Sequence, residues 1–594
     1  MAAGKHPYAL LGLDIGGVNS RVNLIGIAEG RYQVLGSCRA PTSLGENLHI
    51  GSGVGQAMQS LQQQADHLFL KDSGGLLMPV DRIGRGVDLV GLVLSAGPRM
   101  KTAVLGLSSQ GSLKAARALI DSLPLEFVGG FDVTQSLDET RAVEALINTH
   151  ANFVIITGGE DQGMADAIQR WIAIARTACG LWPSAVKPVF LFAGNPALES
   201  AVQRSLERVA NLQIAPNLQP IYGEFNLVPA QGFLEKEILN HYMGVLQGLT
   251  DLIALTGQLY GLNGRAAERM MRYLSQAKRQ DSASTRENGL LSIDLGGGYT
   301  TLNAGFGGVS GAVVMDPFPQ LGGSERLNAA KAICDWAGET VTLEEADQFL
   351  CNYALIPGWV PDTRKALNLT LALARYRLRQ ALMRFAGNHA WLNFDPDLGL
   401  QGHFEPIIAS GAALTQAGDP AGVMLALLDG LQPLGITTMV LDRHHLLGLL
   451  GKLGETEPVL PVHVLSSPAF ENLGTVISAV GQLPRRKIAL TVRVETASGK
   501  HFSLEVPAGS LKRLAIPPGE SAVLELLPHR RVDIGFGGLG RGGRLKVIGG
   551  LLGAVIDARG RPIHLPDKAE ARIELLQHWR RTLSTDQDEP GGLR

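Results

Sequence analysis

Two short stretches of this chain set an acidic side chain beside a run of glycines. Residues Leu10–Leu24 read LLGLDIGGVNSRVNL, and residues Leu290–Ala304 read LLSIDLGGGYTTLNA. Aligned without gaps, they share the Leu-Leu pair, the aspartate, the Gly-Gly pair and a later asparagine. Each also has a hydroxyl residue six positions past its aspartate, Ser20 and Thr300. A carboxylate next to exposed backbone N–H groups suits a phosphate bound together with a divalent cation. Successive N–H groups in a glycine turn form an anion-binding concavity, and Gly16, Gly17, Gly296, Gly297 and Gly298 carry no side chain to block it. Asp14 and Asp294 offer the oxygen ligands that Mg²⁺ accepts while keeping several waters. Ser20, Thr300 and Asn19 are read as further contacts to phosphate oxygens, with Arg21 as a charge partner.

Each copy has the pattern of an apolar strand, an aspartate, a glycine turn and a second alternating strand. That pattern predicts a β-hairpin whose glycines supply positive φ. A separation of 280 residues is far too long for a solenoid repeat and fits a duplicated domain, one copy in each half. Facing each other across two lobes, the hairpins would hold the β- and γ-phosphates of ATP and its Mg²⁺. The plainer alternative is two ordinary hairpins that happen to contain Asp-x-Gly-Gly; two copies with matched flanks favour phosphate binding.

Two other segments fit a nucleotide. Asp316-Pro-Phe-Pro-Gln-Leu-Gly-Gly-Ser-Glu-Arg opens a helical pattern. Gly322 and Gly323 would lie at its N-terminus, where N–H groups and the dipole favour phosphate, or Ser324 would simply cap it. Glu405–Leu414 reads as a strand followed by a small-residue turn, and Ser410-Gly411 would lie flat against adenine or ribose. Two look-alike motifs are set aside. Gly106–Ser112 lacks the lysine of a phosphate loop, and Gly535–Gly540 opens no helix.

Five segments are expected. Residues 1–98 form the first half of the two-lobed domain. Residues 99–216 alternate strand and helix, as a parallel α/β insertion does. Residues 217–486 supply a helical stretch and the second half. Residues 487–565 form a separable β domain, and residues 566–594 a C-terminal helix and tail. The arginines Arg375, Arg377, Arg379 and Arg384, on the helix expected over Thr363–Phe385, form no single stripe and are read as solvated.

Composition narrows the partners. In 594 residues, 53 basic and 55 acidic side chains leave a net charge of −2, so no general attraction to nucleic acid or anionic membrane is implied. Apolar residues at 45% and charged residues at 18% argue against disorder. The four cysteines form no C-x-x-C pair and fit a reducing compartment. With no apolar run near ~20 residues and no apolar core in Met1–Pro7, the expectation is a cytoplasmic protein with neither a nucleic-acid nor a membrane partner.

The ordered trio of Asp14, Asp294 and Ser410-Gly411 turns resembles the nucleotide-binding domain shared by actin, sugar kinases and the seventy-kilodalton heat-shock chaperones. Within that superfamily the chain is most similar to the glutamate mutase L (MutL-type) family. The segments that carry the likeness are Arg39-Ala-Pro-Thr-Ser, Leu94-Ser-Ala-Gly, Ile155-Ile-Thr-Gly-Gly-Glu-Asp, Phe192-Ala-Gly-Asn and Ile407-Ile-Ala-Ser-Gly-Ala. The resemblance implies an α/β fold: a two-lobed actin-like ATPase (ribonuclease H-like) domain with an inserted parallel α/β domain and a C-terminal β domain. It also implies a chaperone-like accessory role toward a subunit of an adenosylcobalamin-dependent carbon-skeleton mutase, in its assembly or reactivation. The pattern departs from the family at several points. Asn19, Ser20 and Arg21 stand where threonines and a lysine are usual. Tyr299-Thr300-Thr301 replaces Thr-Thr-Asp, and Ala409 and Ala412 replace glycines. Asp14 and Asp294 are therefore assigned to the metal and its waters, and no general base is assigned. The alternatives are a catalytically degenerate scaffold of the same fold and a small-molecule kinase.

Overall fold

The computed structural model describes residues 9–44, 49–133, 138–161, 166–183, 187–281, 288–317, 324–392, 394–396 and 398–584. The chain divides into two compact units. One comprises Met1–Ala96, Thr250–Gly311 and Asp316–Arg594; the other comprises Gly97–Leu249 and Ala312–Met315.

The larger unit is built on two sheets with one strand order. In the first sheet, Ala9–Ile15 pairs antiparallel with Asn19–Ala28, which pairs on with Arg31–Pro41. On its other edge Ala9–Ile15 runs parallel to Leu89–Leu94, which is parallel to Tyr260–Leu262. In the second sheet, Gly289–Leu295 pairs antiparallel with Thr300–Phe306 and runs parallel to Phe404–Ser410, which is parallel to Gly435–Asp442. The repeated order hairpin, first strand, parallel strand, parallel strand makes the duplication structural as well as sequential. It is the two-lobed α/β arrangement expected of an actin-like domain. Ala9–Ile15 is buried at every position, which accounts for its almost unbroken apolar sequence.

Two helices bind the sheets together. Asn263–Asp281 and Leu446–Leu453 share a core with Leu10, Ile25 and Val93 of the first sheet and Leu290 and Ile408 of the second. Gly448 and Gly451 permit this packing, because a Cβ at either position would strike Asn263 or the Ala266 backbone.

The second sheet continues past Gly435–Asp442 through Phe470–Ser478 and Ala554–Asp557 to Leu511–Leu514. Those last two strands come from the segment expected to fold as a separate β domain. Only Ile488–Thr496, His501–Pro507, Ser521–Pro528 and Gly543–Ile548 form a sheet of their own. One apolar core, containing Ile477 and Ile556 beside Val492 and Leu524, joins the two sheets.

The smaller unit is a five-stranded parallel sheet in the order Leu125–Phe131, Met100–Leu105, Phe153–Ile156, Val189–Phe192, Asn211–Ile214. It runs past residue 216 because helix Val228–Val245 packs back on it. Gln231 Nε2 donates to Ser122 Oγ at 2.9 Å, and the Tyr242 hydroxyl donates to the Pro98 carbonyl at 2.8 Å. Among the described residues no helix is long and apolar enough to cross a membrane.

Candidate functional site

The two hairpins close in the same way. The Gly16 N–H donates to the Asn19 carbonyl at 3.0 Å. A Cβ on Gly16 would sit 2.7 Å from that carbonyl oxygen, and one on Gly296 would sit 2.8 Å from the Tyr299 oxygen. None of Gly16, Gly17, Gly296, Gly297 or Gly298 has positive φ. The glycines are required by close approach rather than by the left-handed conformation expected from sequence.

The turns also meet each other. A Cβ on Gly17 would lie 2.7 Å from the Gly298 Cα, and one on Gly297 would strike the Val18 side chain. Beneath this contact is a cleft lined by Asp14, Arg21, Asp294, Thr301, Gln416 and His445, together with Asn19, Ala412 and the turn glycines. Its cavity volume is about 60 Å³, well below the ~300 Å³ at which small-molecule pockets usually begin.

Register explains which side chains reach the cleft. Asp14 is directly opposite Arg21, and Asp294 is directly opposite Thr301. Opposed residues of an antiparallel pair share a face, and their neighbours take the other one. Ser20 and Thr300, read as phosphate contacts, are therefore outside the lining. The Ser20 hydroxyl is hydrogen-bonded to Thr42 Oγ1 at 2.9 Å. The Thr300 hydroxyl accepts from Arg377 Nε at 3.0 Å. Arg377 and Arg375 are both buried, not solvated. Arg377 Nη2 also donates to the Gly296 carbonyl at 2.8 Å, and Arg375 Nε donates to Asp429 at 2.8 Å.

The turn at Ser410-Gly411, expected from sequence to meet adenine or ribose, stands beside the same cleft. Gly411 has φ of 96° and is so close to the Leu295 backbone that no Cβ fits. Ser410 backs the Asp294 carboxylate, and Ala412 contributes to the lining. Gly322 and Gly323 lie outside the described residues.

Burial dominates the electrostatics. It pushes the Asp14 carboxyl up to about 7; Arg21 opposes the rise, while Asp294 and Asp442 add to it. Burial also raises Asp294 to about 6, against the Ser410 hydrogen bond. Asp442 is raised by burial although the Leu446 and Leu447 N–H groups both donate to it at 2.9 Å. His445 is held well below its ordinary value by burial and by Arg21, so it is neutral 3.9 Å from Asp14. The half-buried Arg21 guanidinium is likewise lowered by desolvation, and it donates to the Arg443 carbonyl.

Three buried acceptors of the lining, Asp14 Oδ1, Asp294 Oδ1 and Gln416 Oε1, have no donor among the described residues. This all-acceptor set fits a hydrated cation. Among the described residues no three His, Cys, Asp or Glu side chains converge to hold a metal alone. A cation there would complete its shell with water and phosphate, as Mg²⁺ does. From the sequence, Thr301 stands out only as a departure from the family pattern, and Gln416, Asp442 and His445 are given no role in the site. Counting back from the turn would have found Thr301, but no local pattern marks the others.

A family model described as "MutL protein" matches residues 10–311 and 324–468. No curated protein matches the chain. Among solved structures, xylulose kinase from Bifidobacterium adolescentis is 13% identical, covering 78% of this chain and 95% of that one, with a TM-score of 0.27. A ROK family glucokinase from Streptomyces griseus is 12% identical, covering 76% and 99%, with a TM-score of 0.26. A diol dehydratase-reactivating factor is 11% identical, covering 55% and 76%, with a TM-score of 0.19.

Proposed function

The chain belongs to the MutL protein family, and from that membership and the geometry of the cleft we propose an ATP-binding accessory protein for an adenosylcobalamin-dependent carbon-skeleton mutase, acting in its assembly or reactivation. The observation that carries the nucleotide part is the meeting of Gly17 and Gly298 above Asp14 and Asp294, whose buried Oδ1 atoms have no donor among the described residues. Asp14 and Asp294 would hold Mg²⁺ through its waters. The N–H groups of the two glycine turns would take phosphate oxygens, with Arg21 as the cationic partner. Mg²⁺, when bound, supplies charge that offsets the phosphates and the carboxylates together.

The closed cleft gives the cycle a direction. A triphosphate must part the two turns to enter, and would then bridge them. Loss of the terminal phosphate would release one hairpin and shift the lobe equilibrium, since a ligand moves an equilibrium only by its differential affinity for the two states. That movement is what a mutase subunit would sense. Calorimetric titration of the full chain with ATP and Mg²⁺, beside an Asp14→Ala, Asp294→Ala double variant, is the test. Heat of binding is expected from the parent protein only, and equal heats would remove the site. Capture of a mutase subunit by the full chain tests the accessory role.

A second reading, a scaffold that keeps the fold without turnover, is favoured by Thr301 standing opposite Asp294 where the family usually has an acid. ATP binding with no steady-state phosphate release would select it.

A further inference from the structure

Apart from the cleft, the larger unit has a cavity of about 620 Å³, inside the ~300–1,000 Å³ range of small-molecule sites. It shares no lining residue with the cleft. The long helix Arg364–Asn388 separates the two. Arg377 reaches the second hairpin from one side of this helix, while Arg364, Asn368, Leu371 and Arg375 face the cavity at spacings of three and four residues, which mark a single face. The opposite wall is helix Ala569–Ser584.

The lining is cationic. Among the described residues, Arg364, Lys365, Arg375, Arg580 and Arg581 face the cavity against one acid, Glu339. Carboxylates outside the lining pair with Lys365 (Glu345), Arg375 (Asp429) and Arg580 (Asp419). These pairs fix the cations without filling the cavity. Among the described residues, the buried Nε–H of Arg580 has no acceptor. Arg364 and Arg375 repel its charge. Trp336, Leu371, Leu425 and Leu576 give the wall an apolar part, beside the amides of Asn368 and Gln577.

We propose that this cavity binds a small organic phosphate, a monoester whose apolar or aromatic body lies against Trp336 and the leucines while its phosphate meets the arginines. Guanidinium groups match phosphate in a two-pronged geometry that lysine cannot supply, and four of the five cations are arginines. The apolar wall distinguishes an ester from the free ion.

The test uses phenyl phosphate as probe, titrated into the full chain by ligand-observed NMR, with inorganic phosphate and benzyl alcohol in parallel. Phenyl phosphate is expected to bind more tightly than either. Arg364 and Arg581 are exposed at the cavity mouth, so the Arg364→Glu, Arg581→Glu variant should fold, which its thermal midpoint checks. Reversing both charges is expected to weaken phenyl phosphate roughly tenfold. An Asp14→Asn variant should bind the probe as the parent does. The proposal is overturned if the parent binds no probe at millimolar concentration, if the folded charge-reversed variant binds it equally well, or if Asp14→Asn abolishes binding, which would put the probe in the cleft.

Discussion

Arg377, from the middle of the longest helix, is hydrogen-bonded to Thr300 Oγ1 through Nε at 3.0 Å and to the Gly296 carbonyl through Nη2 at 2.8 Å. One buried guanidinium thus fixes both ends of the second hairpin turn. Burial pulls it below its ordinary value, and Tyr353 and Asp294 act the other way. Thr300→Val would leave the charge short of an acceptor, at a cost of about 2–3 kcal/mol. Arg377→Leu would strip the donors from Gly296 and Thr300 at a similar cost. The double variant should cost less than the sum, with a coupling of about 1–2 kcal/mol measured by urea unfolding. Strict additivity would mean that the contact contributes nothing specific.

Gly17→Ala should be far more costly than an ordinary glycine substitution. Its Cβ would fall 2.7 Å from the Gly298 Cα, with backbone on both sides and no flexible atom to yield. We expect about 1–3 kcal/mol of destabilisation, the usual range for overpacking. Gly232, inside helix Val228–Val245 with open space around its Cβ position, is the control. Gly232→Ala should gain up to about 1 kcal/mol from helix propensity. Thermal midpoints of the two variants moving in opposite directions would support close approach as the reason for the turn glycines.

These contacts mark how far the sequence could be read. The hairpins were legible because apolar runs ending in Asp-x-Gly-Gly occur twice with matching flanks, and the parallel insertion because strand and helix periods alternate cleanly. Facing was harder. Ser20 and Thr300 looked equivalent to each other and are so, but pleating turns both away from the cleft and brings Arg21 and Thr301 in. Arg377 looked solvated because helical spacing identifies a face without saying what covers it. The strands Leu511–Leu514 and Ala554–Asp557 have ordinary β patterns, and nothing local says that they pair with Phe470–Ser478 and each other instead of with their sequence neighbours.

The cleft carboxylates predict a pH dependence of stability. Asp14 is raised from 3.8 to about 7 and Asp294 from 3.8 to about 6. The folded state therefore holds protons that the unfolded state has released. Stability from these groups is fully present below pH 3.8 and is lost as pH rises through about 6 to 7. Asp442 has the same sign, whereas neutral His445 favours folding above its ordinary value of 6.5 and opposes it below. Subtraction isolates Asp14. The parent protein should lose on the order of a few kcal/mol relative to Asp14→Asn between pH 4 and pH 8. Parallel stability profiles for the two proteins would show that Asp14 ionises normally. Mg²⁺ should reduce the difference at pH 8 by compensating the ionised carboxylate.

The C-terminal segment is tied to the second lobe by a buried charge network. Asp429 accepts from Arg375 Nε at 2.8 Å and from Arg559 Nη1 at 2.7 Å, and Arg559 also donates through Nε to Asp557 at 2.9 Å. Its guanidinium is over the Trp579 ring of the last helix, 4.5 Å from the centroid. Despite burial, the two neighbouring arginines hold Asp557 far below the usual carboxylate range. Asp429→Asn keeps the shape and removes the charge shared by two arginines, so both are left buried and undercompensated. Breaking a buried pair in this way costs about 3–5 kcal/mol. Asp429→Leu together with Arg375→Met should recover part of that loss, because an apolar replacement removes a buried charge along with its partner. Hydrogen exchange should show the Asp429→Asn defect in Ala554–Asp557 and Ala569–Ser584 together, since Arg559 links the strand to the helix. Exchange confined to helix Pro420–Leu431 would mean that the network stabilises only its own helix and does not hold the C-terminal segment.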